Sequence, residues 1–311
     1  MPSKKYLPTS DVNLISNGIK CKWRWIRDTT RNIPRIANLY HDSKKEMSIP
    51  LENINLNVEI LNSSADIKFS QTFKNESENP IECIYKFPSD AAYTIVGLEV
   101  KIGDNIINTK VMEKEQAKQK YDDAVASGNT AVKLNFDEKL PDVIELNIGQ
   151  LLPGDTALVT VSMIAELEVI KHGFYSFIFP LNFFPLLGNE KKNWKNEDES
   201  QPAEFNANIK IQSSSIITNL DVSHKGFAFE QSEDRCEVRL NLGQSKYIAA
   251  KDIVISYSTE SIREPQLVLT RCDKYPGQIA VHISYIPRKS EEHIVDEGRF
   301  CLFLINIVYL K

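Results

Sequence analysis

The chain is predicted to be mainly β, an antiparallel sandwich with one short surface helix followed by a second β-rich region. Three observations carry this. Apolar and polar residues alternate over 51–60, the period of a half-buried strand. Turn clusters such as Asn62-Ser63-Ser64, Pro88-Ser89-Asp90 and Gly103-Asp104-Asn105 divide the following runs at roughly 8–14 residues, the spacing of a sandwich or barrel. One stretch alone, 113–126, has helical periodicity, with Ala117, Tyr121, Ala124 and Val125 on one narrow stripe.

The strands follow in order at 51–60, 67–73, 81–87, 94–102 and 106–112. The helix comes next, ended by Gly128 where a left-handed residue is wanted. Strands resume at 130–136, 143–148 and 157–169, the last long and largely apolar. Pro153-Gly154 turns the chain between the last two. The aromatic run 173–187 closes the first core, and the polar segment 188–203 is a linker or loop. Further strands are expected at 205–211, 215–222, 235–242, 252–257, 266–270 and 278–285, as a second sandwich or an extension of the first. The resulting division is an N-terminal extension 1–48, a β-sandwich domain 49–187, the linker 188–203, a β-rich region 204–290 and a C-terminal piece 291–311.

The 311 residues are 42% hydrophobic and 25% charged with a net charge of −5, ordinary for a globular protein and too weak a charge to imply a polyanionic partner. No run of about 18 apolar residues occurs, and the first residues have no apolar core of a secretory leader. Five cysteines, odd in number and widely spread, read as reduced thiols. A cytoplasmic location is expected, in which the sequons at Asn62 and Asn75 stay unmodified.

Residues 20–35 hold six Lys/Arg and one Asp, with Trp23 and Trp25 between basic residues. Such a segment suits single-stranded nucleic acid or an anionic membrane. An edge strand with inward tryptophans explains the same alternation more simply. Nucleic-acid or membrane binding through Lys22, Arg24 and Arg27 is therefore not expected.

No nucleophile elbow, phosphate-binding loop, dinucleotide fingerprint or paired metal-ligand motif is present. The five histidines (41, 172, 224, 282 and 293) are far apart, and His282 sits in a strand-like alternation. Asp122-Asp123 and Glu197-Asp198-Glu199 lack cation-loop spacing. No catalytic, cofactor-binding or metal-ligating residue is assigned, and no cofactor or small-molecule substrate is expected. The chain reads as a non-enzyme whose partners are other proteins.

The run VMEKEQAKQKYDDAVASGNTAVKL, followed by DVIELNIGQLLPGDTALVTVSMIAELEV, resembles the vault/inter-alpha-trypsin (VIT) domain. IPLENINLNVEI and FKNESENPIECIYKFPSDAAYTIVGLEVKIGD resemble its start, so the similarity covers roughly 49–170. The resemblance implies a β-sandwich that serves as a protein-interaction module, usually paired with a von Willebrand factor A (vWA) domain. Tyr121, Gly128, Pro153-Gly154, Glu82 and Asp142 would then be scaffold positions. KYPGQIAVHISYIP resembles the strand before the vWA domain, and 300–305 its first strand. Asn306 stands where that domain's metal-binding Asp is expected, and no Ser follows. We expect 291–311 to be a truncated first strand of a vWA domain. For the function, the alternative to a non-enzymatic scaffold is the non-catalytic N-terminal part of a larger multidomain protein of vWA or ADP-ribosyltransferase type, here truncated. A strand at 300–305 without a partner is prone to aggregation.

Overall fold

The computed structural model describes residues 37–41, 48–109, 134–136, 143–170, 173–185, 203–246, 252–271 and 279–286. The helix expected at 113–126 with Tyr121 and Gly128, the basic segment 20–35, Asp142, nearly all of the linker 188–203 and the C-terminal piece lie outside these residues. Strands β1 Asn38–His41, β2 Leu51–Leu61, β3 Ser64–Lys74, β4 Ile81–Pro88, β5 Tyr93–Ile102 and β6 Asn105–Thr109 come first. β7 Leu134–Phe136, β8 Val143–Leu151, β9 Thr156–Glu166, β10 Glu168–Ile170 and β11 Phe174–Phe179 follow. The later strands are β12 Glu204–Gln212, β13 Ile217–Val222, β14 Ala228–Gln231, β15 Glu237–Lys246, β16 Ile253–Thr259, β17 Gln266–Arg271 and β18 Ile279–Ser284.

Among the described residues an eight-stranded sheet runs β14-β15-β12-β2-β3-β9-β5-β6. Two four-stranded sheets, β1-β4-β8-β7 and β10-β11-β16-β13, contribute to the same core, and β17-β18 form a hairpin. The fold is the mainly β, largely antiparallel assembly that the alternation predicts.

β2 shows how the pattern becomes a layer. Ile54, Leu56, Val58 and Ile60 are buried, while the alternate Asn55, Asn57 and Glu59 face out. The asparagines have a further use. Asn206 Nδ2 donates to Asn55 Oδ1 at 3.3 Å and Asn208 Nδ2 donates to Asn57 Oδ1 at 3.1 Å, bridging β12 to β2. These two strands pair in parallel from Glu204↔Asn53 to Gln212↔Leu61. Of the strands in 204–290, β12, β15 and β14 therefore extend the first sheet, while β13 and β16 join β11 in another and β17-β18 stand as a hairpin.

The inner face of that sheet packs on an aromatic cluster. Phe69 of β3 lies 5.3 Å from Phe179, 5.7 Å from Phe184 and 6.3 Å from Phe87, centroid to centroid. Phe184 meets Phe205 of β12 at 5.6 Å, so the run 173–187 covers the first core and reaches the later strands as well. The Phe69–Phe184 and Phe184–Phe205 pairs are edge-to-face, a geometry that adds to simple burial. Inside the core, Tyr85 Oη donates to Gln71 Oε1 at 2.7 Å and Gln71 Nε2 donates to the Ala37 carbonyl at 3.0 Å. β1 is tied in by that chain and by its pairing with β4, although sequence reading assigned it to the N-terminal extension. Burial pushes the Tyr85 hydroxyl well above its usual range, which keeps this link neutral.

The single strand expected over 157–169 is two strands. Leu167 N–H turns back to the Ser63 carbonyl at 2.7 Å, and β10 then leaves for another sheet. The apolar pattern runs straight through this corner, so periodicity could not show it. β8 carries a bulge where Cys83 faces Gly149 and Ile84 faces Asn147, with Gly149 at φ 90°.

Candidate functional site

Among the described residues no three His, Cys, Asp or Glu side chains come together to hold a metal. Cys83 is buried with its Sγ donating to the Ile81 carbonyl at 3.4 Å, and burial pushes its thiol up to about 11. Such a thiol is held out of nucleophilic chemistry at neutral pH. His282 Nε2 rests 3.5 Å from Ser63 Oγ at the body of the fold. Ser223 Oγ lies 2.9 Å from His224 Nδ1, yet it also accepts from Val254 N–H and donates to the Asp252 carbonyl. That hydroxyl fastens the end of β13 to β16. Glu82 is exposed opposite Gln150.

The sequon residue Asn75 is fully buried, with its polar groups bonded inside the fold. Its Nδ2 donates to the Leu151 and Asn79 carbonyls, both at 2.9 Å. Its Oδ1 accepts from Ser77 N–H at 2.9 Å and Ser77 Oγ at 2.7 Å. Its backbone N–H donates to the Asp155 carbonyl, and its carbonyl accepts from Gly154 N–H. The Leu152-Pro153-Gly154-Asp155 turn, with Gly154 at φ 79°, is thereby clamped to the β3–β4 loop. Asn62, the other sequon, is also buried and accepts from Ser214 N–H at 3.0 Å and from Tyr257 Oη.

Among the described residues two surfaces stand out. The first is the end of the large sheet at β14, which among the described residues pairs with β15 on one side only. Phe229 faces buried Leu240 across that pair and Gln231 faces buried Val238, so both point to the core side. Phe229 is nevertheless 39% exposed. Beside it, between β14 and β13 at the edge of another sheet, lies a cleft of about 170 Å³. Ile217, Leu220 and Val238 give it an apolar lining, and Asn219 and Arg235 contribute polar groups. Gln231 Nε2 bonds the Ile217 carbonyl at 3.3 Å and Ile217 N–H bonds the Arg235 carbonyl at 2.9 Å, tying the two edges together. Sequence reading passed over β14 because it is four residues long; Phe227 and Phe229 alternating between Gly226 and the Ser-Glu-Asp turn were the available signal.

The second open surface is the hairpin. Leu267 opposes Ile283 and Leu269 opposes Val281, which places them on one face. The other face carries His282, which reaches Ser63, and buried Gln266. The outward face is apolar.

Comparison with known proteins places the domain. The family model of the vault protein inter-alpha-trypsin domain matches residues 51–163. Human von Willebrand factor A domain-containing protein 5A is 29% identical over 132 residues, covering 42% of this chain and 17% of that protein. Human protein mono-ADP-ribosyltransferase PARP4 is 34% identical over 122 residues, covering 39% of this chain and 7% of that protein. A von Willebrand factor A domain-containing protein of Dictyostelium discoideum is 24% identical over 325 residues, covering 94% of this chain and 34% of its own length. The chain thus spans about a third or less of the length of these relatives. Residues 51–163, which run from β2 into β9, are thus the part of this chain that matches the vault protein inter-alpha-trypsin domain.

Proposed function

We propose that this chain is a non-enzymatic interaction scaffold that takes an extended segment of a partner protein on the free edge of β14. The partner's backbone adds to the sheet, and one of its apolar side chains enters the cleft under Phe229. The observation that supports this is the core-side Phe229 left 39% exposed at a sheet edge. A core-side aromatic normally packs against a facing layer, and here it borders the cleft between β14 and β13. We further propose a cytoplasmic setting, which suits the buried thiol of Cys83 and the buried, fully bonded Asn75.

Peptides selected by display against the whole chain provide the test, with affinities measured by titration calorimetry. Phe229→Asp puts a charge at the mouth of the cleft and is expected to weaken binding by about tenfold or more. Ile106→Asp, on the opposite edge strand β6, is expected to leave it unchanged. Equal affinity for the Phe229→Asp variant and the unaltered chain would remove β14 as the binding edge.

A further inference from the structure

We propose that the β14 cleft selects a partner segment carrying an acidic side chain two residues from its apolar one, and that Arg235 reads the acid; this rests on β14 being the binding edge. Among the described residues that line the cleft, Arg235 alone is charged. Ile217 accepts from Gln231 Nε2 at its carbonyl and donates its N–H to the Arg235 carbonyl. Arg235 therefore stands at the Gln231 end of β14, one step of the alternation beyond Phe229. A strand added to β14 sends every second side chain to the core side, with a spacing of about 7 Å. A residue that enters the cleft beside Phe229 thus brings the residue two positions away, on the Gln231 side, to the guanidinium.

Two observations single out this arginine. The neighbouring cations are already paired, Lys210 at 3.3 Å and Arg239 at 2.7 Å from the Glu237 carboxylate. Among the described residues the exposed Arg235 guanidinium has no acidic partner. Asp234, next to it in the turn, is occupied, since its Oδ1 accepts from Ser232 Oγ at 2.6 Å and from Cys236 N–H at 3.0 Å. Arg235 also sits at φ 58°, in the left-handed region where glycine or asparagine is the easy choice. Asn62, the other described non-glycine residue with positive φ, is of the favoured type, and Arg235 is not. A strand laid along β14 takes water from the Arg235 fork, which then needs a carboxylate in place of that water. A segment with an amide there leaves the cation half-stripped and is rejected.

The probes are the peptides selected by display against the whole chain, titrated at low and high salt. They are expected to carry Asp or Glu two positions from an apolar residue. Arg235→Gln is expected to weaken them about tenfold, and so is changing the peptide's acid to its amide. The two changes together are expected to cost about tenfold and not a hundredfold, because they break one pair. Salt should weaken the acidic peptide and leave the amide peptide nearly unaffected. Arg235→Gly, which suits the φ of 58°, keeps the turn and should repeat the loss. Selected peptides without the acid, unchanged affinity for Arg235→Gln, or losses that multiply overturn this role of Arg235. The β14 edge itself stands if Phe229→Asp still weakens those peptides. A library with no binder sensitive to Phe229→Asp removes the edge and the role of Arg235 together.

Discussion

Phe69→Ala is expected to destabilise the chain by about 4 kcal/mol, the loss seen when a buried aromatic leaves a cavity. Phe69 is fully buried and meets Phe87, Phe179 and Phe184 at once. Phe184 in turn packs on Phe205, so the cavity would open between β3 and the layer that holds β12. The substitution should therefore lower the urea midpoint of strands on both sides of segment 188–203. Urea unfolding followed by far-ultraviolet and near-ultraviolet circular dichroism checks it. One shifted transition in both signals is expected; two transitions, with one unmoved, would show that the later strands have a core of their own.

Asn75→Ala is expected to cost about 3 kcal/mol, because buried partners are left without their bonds. The Leu151 carbonyl loses the Nδ2 donor, and Ser77 N–H loses its acceptor. The backbone links from residue 75 to Gly154 and Asp155 remain, so the damage is local to the clamp. Denaturant unfolding gives the magnitude, and amide exchange at Gly154 and Asp155 gives the place. A loss under about 0.5 kcal/mol, the range of an ordinary surface change, would show that the clamp is not a structural joint.

Much of the sandwich was legible because inward and outward residues alternate along β2, β3, β5 and β9. The parallel joining of β2 to β12 was not legible. Each strand alternates in the same way whichever neighbour it has, and the asparagine pairs that bridge them look like solvated side chains in sequence. The burial of Asn75 and Asn62 was not legible either, since Asn-x-Ser records nothing about burial. The candidate site was hidden for a related reason. β14 is too short for periodicity, and the exposure of Phe229 depends on where β13 goes, a long-range fact. Strands β17 and β18 were read in nearly their observed bounds, but their pairing and the outward direction of their apolar face required the register and the contact of His282 with Ser63.

The pairing of β2 with β12 is what puts the open β14 edge on the same sheet as the inter-alpha-trypsin domain. Residue-resolved amide hydrogen exchange of the whole chain measures that pairing directly. Ladder amides of β2 and β12 are expected to exchange through one global opening, with equal free energies. Exchange of β12 and β15 through a lower opening, while β2 and β3 stay protected, would contradict the single sheet and detach the proposed binding edge from the domain.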